Sequence, residues 1–367
     1  MKSQKGLAIA WVSLCCFSVP VFAGILQPGD IVFADGGLDL VIRLDPITHA
    51  TNYIAAIDFT GASGGIAVGR NGDIYVMRFS SINQRTDFFR INGQTGATNR
   101  FSNETLIFSG SRMKVSPDGL SLVVAGEMQT VGRGVFRVDL ATGHQTIITT
   151  NLTDSPDYER PWDVAFSPQG HIYVTDWNYA NLLRFNADGT GRHVVTSDGL
   201  LNFPAGIDVA ADGTIYIASR SYRGIVRVNP VTGEQSSVTT LGYLSFPTDL
   251  TVAPDGSLLV ADASADVIVR VDPTTGAQNL LHSGTPGPRT PHVFWPAPPA
   301  LSAQRSGSSL VVSWPDAANG WQLQTSETPA SANSWADSGL TVEANGDQRV
   351  VTIQLNLAAL YFRLRKL

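Results

Sequence analysis

The sequence predicts an all-β protein in which a six-bladed β-propeller is followed by a small β-sandwich. A four-residue phrase occurs six times: an apolar residue, an arginine, an apolar residue, and Asp or Asn. Its arginines are 47, 47, 47, 43 and 43 residues apart, and a fixed period in the forties is typical of propeller blades. Short β-branched runs separated by Asp-Gly and Thr-Gly turns indicate consecutive antiparallel strands. The six arginines are Arg43, Arg90, Arg137, Arg184, Arg227 and Arg270.

Residues 1–23 are predicted to be a signal peptide. Two lysines precede an apolar run that ends at Ala23, which is the order of a secretory leader. The run is short for a bilayer span, so we expect cleavage near Ala23 and a secreted or periplasmic protein. Both cysteines of the chain, Cys15 and Cys16, lie in this segment. The mature protein would therefore have neither disulfides nor thiol chemistry.

The propeller is expected to span residues 24–295 and to close through its own last strand. The first repeat begins at Gly29 in register with the second strand of later repeats, so it lacks an innermost strand. An unpaired edge would invite aggregation, and the missing strand must come from elsewhere. Residues 290–295, directly after the sixth repeat, are well placed to supply it.

A second domain is expected at residues 301–367, after a proline-rich linker at 296–300. Four short alternating or apolar runs in this tail predict a small sandwich of the Ig or fibronectin type III kind. Trp314, in the first of these runs, is the expected core tryptophan.

Charge and hydropathy exclude some classes of partner. The formal net charge is −6 and the sequence has no basic stripe, which argues against nucleic acid. After the leader, no apolar stretch is long enough to span a membrane. We expect a monomer whose partner is a small molecule, a carbohydrate or a protein.

Charged residues on the inner strands form the candidate site. When the repeats are aligned on their Asp-Gly turns, one rank of the inner strands holds Arg112, Asp163 and Asp249. The rank two residues further along holds Lys114 and Asp208, on the same strand face. Other repeats have Gly, Ala or Thr at these ranks, so we expect the charges to gather at one mouth of the channel for a purpose other than folding. The loops expected beside them carry Trp177, Tyr179, Arg220 and Tyr222.

Two interpretations of these charges remain open. They would either pair with one another along a wet channel, or bind a polar ligand, with Asp163 and Asp249 as a candidate acid and base. The second interpretation predicts that Asp163→Ala or Asp249→Ala impairs binding more than folding. The repeated arginines are instead expected to be structural and to bridge adjacent blades.

The repeat at residues 203–219, Phe-Pro-Ala-Gly-Ile-Asp-Val-Ala-Ala-Asp-Gly-Thr-Ile-Tyr-Ile-Ala-Ser, resembles NHL repeats, as does the one at 161–176. The whole ring resembles SMP-30/gluconolactonase-like and NHL propellers. The resemblance to the lactonases implies a divalent cation such as Ca²⁺ in the channel, held by an Asn or Asp just after the proline that opens an inner strand. Those positions here are Trp162, Ala205 and Thr248, so no metal ligand is assigned. The tail resembles small Ig-like modules of secreted planctomycete and verrucomicrobial proteins, on residues 312–315, 321–324 and 361–365.

Two functions follow from these observations. The first is a secreted, non-catalytic propeller that binds a polar small molecule, carbohydrate or peptide at the channel mouth. The second is a metal-dependent lactonase- or lyase-type enzyme of the SMP-30/gluconolactonase-like group.

Overall fold

The described residues of the protein are all-β, which confirms that part of the predicted fold class. The structure is a computed structural model that divides into two compact units, Met1–Trp295 and Pro296–Leu367. The predicted leader and linker lie outside the described residues. Within the described residues, no helix is present that could cross a membrane. The residues described are 26–57, 64–80, 85–102, 104–128, 132–150, 152, 160–294, 301–315, 321–327, 335–345, 348–354 and 361–366.

The described part of the first unit contains six four-stranded antiparallel sheets, numbered here in chain order. Sheet 1 contains β1 (Ile31–Asp35), β2 (Leu40–Leu44), β3 (Thr51–Ala56) and the distant β24 (Pro288–Val293). Sheet 2 contains β4 (Gly64–Val68), β5 (Ile74–Ser80), β6 (Arg85–Ile91) and β7 (Thr98–Ser102). Sheet 3 contains β8 (Ile107–Val115), β9 (Ser121–Met128), β10 (Gly132–Asp139) and β11 (Gln145–Thr149).

The remaining three sheets follow the same up-and-down order. Sheet 4 contains β12 (Pro161–Phe166), β13 (Ile172–Asp176), β14 (Asn181–Phe185) and β15 (His193–Ser197). Sheet 5 contains β16 (Pro204–Val209), β17 (Ile215–Ser219), β18 (Gly224–Val228) and β19 (Gln235–Thr240). Sheet 6 contains β20 (Pro247–Val252), β21 (Leu258–Asp262), β22 (Val267–Val271) and β23 (Gln278–Ser283).

The first strands of the sheets contact one another in a cycle. We call β24, β4, β8, β12, β16 and β20 the inner strands, and each contacts the next, with β20 returning to β24. Hydrophobic core lies between neighbouring sheets: Phe33 of sheet 1 shares a buried cluster with Leu259 of sheet 6. Because each sheet buries both faces against its neighbours, its strands read as nearly continuous apolar runs.

The ring closes through a strand from the end of the first unit, as predicted. Strand β24 pairs antiparallel with β1, placing Val293 opposite Ile31 and His292 opposite Val32. The strand begins at Pro288, two residues before the expected segment, and Trp295 lies outside the described residues. In addition, the Ile66 N–H donates to Thr290 Oγ1 at 3.3 Å, which ties sheet 1 to sheet 2.

The Asp or Asn of the repeated phrase organises the turn that follows it. Asp45 Oδ1 accepts hydrogen bonds from the N–H groups of Ile47 and Thr48, at 2.8 and 3.0 Å. In the fourth repeat the Thr-Gly turn is absent, and Asn186 Nδ2 instead donates to Thr190 Oγ1 at 3.0 Å. The arrangement seen at Asp45 recurs at Asn92, Asp139, Asn229 and Asp272.

The repeated arginines do not, in general, bridge blades, which corrects the expectation from sequence. Arg43 pairs with Asp30 at 2.6 Å and Arg270 with Asp255 at 2.8 Å, each within its own sheet. Arg43 lies opposite Val32, so its side chain reaches diagonally to the acid just before the facing strand. Arg90 pairs with Asp73 in the same way. Arg227 does reach the next sheet, where it donates to the Pro273 carbonyl oxygen.

The second unit contains two sheets that share one small core. Trp314 is 1% exposed and packs with residues from both sheets, which confirms it as the core tryptophan. Its core neighbours are Val312, Leu323, Val351 and Leu364. The first sheet has the order β25 (Ser302–Ser306), β26 (Ser309–Pro315), β30 (Gln348–Gln354) and β29 (Glu343–Asn345). The second has the order β28 (Ala336–Asp337), β27 (Trp321–Ser326) and β31 (Tyr361–Lys366).

Candidate functional site

The candidate charges lie along the channel and do not gather at one mouth, which corrects the expectation from sequence. Arg112 lines a cavity of about 260 Å³ where inner strands begin, an end we call the proline end because prolines open four of these strands. Lys114 and Asp208 line a second cavity, of about 340 Å³, where the inner strands finish. Two residues of strand span roughly 6–7 Å, so successive ranks open toward different ends.

The channel charges are paired with one another. Arg112 Nε lies 3.2 Å from Asp249 Oδ2, and both side chains are only 4% exposed. Lys114 Nζ lies 3.9 Å from Asp208 Oδ2 near the opposite end. These contacts favour the interpretation in which the charges stabilise the channel.

Two of the carboxylates also accept hydrogen bonds from the backbone of the next inner strand. Asp163, which is 1% exposed, accepts hydrogen bonds from the N–H of Val164 at 2.8 Å and from the N–H of Ile207, in the next sheet, at 3.0 Å. Asp208 repeats the arrangement by accepting from the Val252 N–H at 2.8 Å. The carboxylates therefore satisfy backbone donors between sheets, a role that the repeat alignment did not reveal.

Burial and crowding change the proton affinity of this network. Burial, and then the charge of Asp249, raise the pKa of Asp163 to about 7, against the opposing pull of Lys114. Burial also raises the pKa of Asp249, although Arg112 opposes it. For Lys114, burial alone would lower the pKa, but Asp208 and the other carboxylates outweigh burial and raise it. Near neutral pH, Lys114 stays charged while Asp163 retains part of a proton.

Because native Asp163 holds this proton, we predict that the free energy of unfolding falls as pH rises from about 4 to about 7. An unfolded aspartate has lost its proton above about pH 3.9, whereas native Asp163 keeps it up to about pH 7. The native state then binds more protons, so the free energy of unfolding drops by up to about 1.4 kcal/mol per pH unit in this window.

Urea unfolding at several pH values between 5 and 8 measures this slope. Asp163→Asn cannot ionise and should flatten it, even if the amide costs some stability by presenting a donor to a backbone N–H. An unchanged slope in the variant would show that Asp163 is not the group that titrates.

Aromatic side chains surround the proline end. The rings of Trp162 and Trp177 lie 4.5 Å apart, and Trp177 lies 5.3 Å from Phe203. The guanidinium of Arg220 lies 4.8 Å from the Trp177 ring and 5.7 Å from the Phe246 ring. Phe203 and Phe246 are 43% and 41% exposed, so apolar ring surface remains open to solvent beside the arginine.

Three arginines approach these rings, and a fourth, Arg289, interacts electrostatically with two of them. Arg160 lies 5.2 Å from the Trp162 ring, and Arg112 approaches the same ring at 5.6 Å. Burial, and then the charge of Arg112, lower the pKa of Arg220 and of Arg289, although Asp262 opposes the shift at Arg220 and Asp35 opposes that at Arg289. The Nε–H of Arg220 is buried and has no acceptor among the described residues.

Buried aspartates at the ends of second strands fix the loops of this end. Asp262 Oδ2 accepts from the N–H groups of Ser245 and Phe246, each at 2.7 Å. Asp176 accepts from the Arg160 N–H at 3.3 Å and from the Tyr179 N–H at 3.1 Å. The exposed rings and arginines are therefore held on ordered backbone.

The structure brings Arg112, Trp177 and Arg220 together and leaves Lys114 and Asp208 at the other end. Of the two tyrosines, Tyr222 packs against the core between sheets 4 and 5. Sequence reasoning missed several members of the proline end, although a signal was present. In sheets 4, 5 and 6 a large residue stands directly before the proline that opens the inner strand. In β24 an arginine stands directly after that proline. The missed residues are Arg160, Trp162, Phe203, Phe246 and Arg289.

The channel carboxylates do not fit a Ca²⁺ site. Asp249 is paired with Arg112, and both oxygens of Asp163 accept backbone N–H groups, so these oxygens face donors. The described residues contain no group of three or more His, Cys, Asp or Glu that could hold a metal ion. Trp162, Ala205 and Thr248 offer no carboxylate at the positions that the lactonase resemblance would require.

Comparisons with known proteins support the fold. The NHL repeat family model matches residues 159–184, which include Arg160, Trp162, Asp163 and Trp177. A chain of the nidogen/laminin complex superposes with a TM-score of 0.60 at 16% identity, covering 72% of this chain and 98% of that one. A Bacteroides caccae protein of unknown function gives 0.53 at 14% identity, with 69% and 94% covered.

Streptogramin B lyase gives a TM-score of 0.48 at 19% identity, over 68% of this chain and 76% of that one. No curated protein matches the sequence. The chain therefore has a β-propeller fold and carries an NHL repeat, and that repeat contributes to the aromatic and arginine cluster of the proline end.

Proposed function

We propose that this protein is an exported propeller of six blades that binds a polar ligand at the proline end of its channel without catalysing a reaction. Removal of residues 1–23 would release it into the periplasm or the extracellular space, with residues 301–367 as an Ig-like module. The observation that carries the binding proposal is Arg220, whose guanidinium lies between Trp177 and Phe246 with a buried, unpartnered Nε–H.

A hydrogen bond to a charged donor contributes about 1.5–3 kcal/mol, so a ligand oxygen that bonds the Arg220 guanidinium gains about that amount. The surrounding rings supply apolar contact, and the arginines supply oriented donors. A few convergent polar groups in an aromatic cleft are the usual composition of a ligand site. Fixed loops limit the ordering cost of binding.

The channel carboxylates support binding over catalysis. A general acid or base must reach its substrate, yet Asp163 and Asp249 lie beneath the mouth and are held by backbone donors and by Arg112. A lactonase or lyase is the alternative, and it is tested by metal analysis together with lactone hydrolysis. Ca²⁺-dependent turnover that survives purification would favour the enzyme.

Ligand binding should depend on Arg220. Wild-type protein is screened by intrinsic tryptophan fluorescence and thermal shift against neutral and charged saccharides, peptides and nucleotides. For any ligand found, Arg220→Gln should weaken binding at least tenfold, because tenfold corresponds to about 1.4 kcal/mol, within the range for a charge-assisted hydrogen bond. Phe246→Leu should weaken it less.

Arg70→Gln is the matched control. Arg70 is exposed and lines the cavity at the opposite end, so its replacement removes the same charge without touching the proline end. Equal affinity in wild type and Arg220→Gln, or a loss confined to Arg70→Gln, would contradict the proposed site.

A further inference from the structure

Two arginines of the proline end, Arg160 and Arg220, differ from their neighbours in having no ion-pair partner among the described residues. Arg112 is paired with Asp249 at 3.2 Å, and Arg133, which lines the same cavity, is paired with Glu127 at 3.5 Å. Among the described residues, no carboxylate lies within ion-pair distance of Arg160 or Arg220. Asp262 attracts Arg220 without contacting it, and Asp262 Oδ2 already accepts the N–H groups of Ser245 and Phe246, so the donors of Arg220 remain available to a ligand.

We infer that the ligand of this end is an acidic oligosaccharide, one that carries carboxylates on its sugar rings. The inference rests on the proposed function and specifies its ligand class. Guanidinium groups bind carboxylates through paired, parallel N–H donors, and they do so while their faces rest on aromatic rings. Arg160 and Arg220 have this arrangement, since their guanidinium groups lie 5.9 and 4.8 Å from the centre of the Trp177 ring.

The aromatic surface favours a sugar over an acidic peptide. A pyranose ring has a flat face of C–H groups that can cover an indole or phenyl face, while its carboxylate projects from the edge of the ring. The exposed Phe203 and Phe246 lie beside the arginines and supply such faces. A glutamate side chain carries its carboxylate on a flexible stem that offers less flat surface and loses more conformational entropy on binding.

The experiment compares three trimers by isothermal titration calorimetry: trigalacturonate, maltotriose and triglutamate. Trigalacturonate should bind wild-type protein, and raising NaCl from 50 to 500 mM should weaken it several-fold, because salt screens exposed ion pairs. Arg220→Gln and Arg160→Gln should each weaken it at least tenfold. Arg220→Lys, which keeps the charge but loses the planar fork, should fall between wild type and Arg220→Gln.

Controls separate the outcomes. Arg70→Gln should bind like wild type, and melting temperatures show whether each variant is folded; if Arg220→Gln does not fold, Arg160→Gln and Arg220→Lys carry the test. If maltotriose binds as tightly as trigalacturonate, the ligand need not be an anion. If triglutamate binds as tightly or more tightly, the ligand need not be a sugar. If trigalacturonate fails while another ligand binds in an Arg220-dependent way, the inference falls and the proposed function stands. Binding that is indifferent to both Arg160 and Arg220 would overturn both.

Discussion

Ending the chain after Ser283 should abolish the cooperative unfolding transition of the first unit. This truncation removes β24, which supplies the inner strand of sheet 1 and contacts the inner strands on both sides of it. Strand β1 would then expose a row of unpaired backbone groups, and the Ile66 N–H would lose its acceptor on Thr290. Phe294, part of the core between sheets 1 and 2, would be lost as well.

The matched truncation ends after Pro299. It removes the second unit but keeps β24, so the first unit should melt within a few degrees of its temperature in the full chain. Differential scanning calorimetry with far-UV circular dichroism measures both truncations. If the shorter chain melts as cooperatively as the longer one, ring closure through β24 does not stabilise the fold.

The repeat architecture was predictable because each of its determinants is local. A glycine with positive φ ends each Thr-Gly turn, with φ of 70° at Gly96 and 73° at Gly276, and a side chain there would be strained. The Asp or Asn before the turn bonds backbone two and three residues later. Such contacts repeat in sequence with the blade, so a single chain displays them several times. The missing first strand was visible for the same reason.

The candidate site was less predictable because its contacts join sheets that are remote in sequence. Arg112 and Asp249 are 137 residues apart, and no local pattern relates them. Alignment of the repeats gave the rank of each charge but not the end of the channel to which it opens. In the sequence, Trp162 stands out only because it occupies a position where the lactonase resemblance requires a metal ligand. In the structure its ring lies against that of Trp177. Asp163 was interpreted as surplus to the scaffold, although it accepts a backbone N–H from the next sheet.

The repeated arginines show the limit of inference from recurrence. Occurrence in every repeat predicts a structural role, but it does not identify the partner. Arg43 and Arg270 use an acid in their own sheet, whereas Arg227 uses a carbonyl of the next one. The turn residue alone does not decide the partner, because Asp212 and Asp255 occupy the same position in repeats five and six while Arg227 and Arg270 bind different groups.

Asp249→Ala should destabilise the first unit by about 3–5 kcal/mol, because it leaves the Arg112 charge buried without its partner. The site is also tightly packed: a methyl group built on Gly206 would lie 2.4 Å from Asp249 Oδ1, so the neighbouring strand leaves little room for water to replace the carboxylate. By contrast, Arg227→Ala removes one charge-assisted hydrogen bond to a carbonyl oxygen and should cost less, about 1.5–3 kcal/mol. This order reverses the one expected from sequence, in which the channel carboxylates were dispensable for folding.

Urea unfolding at pH 8, above the pKa of about 7 of Asp163, measures the difference. The double variant Arg112→Met/Asp249→Leu removes the whole pair and should cost far less than the two single changes together, since replacing a buried ion pair by apolar groups of similar volume is often close to neutral. That non-additivity distinguishes an uncompensated charge from a simple loss of packing. If Asp249→Ala proves milder than Arg227→Ala, the Arg112–Asp249 pair is not what holds the channel together. Asp249 would then again be a candidate for ligand binding.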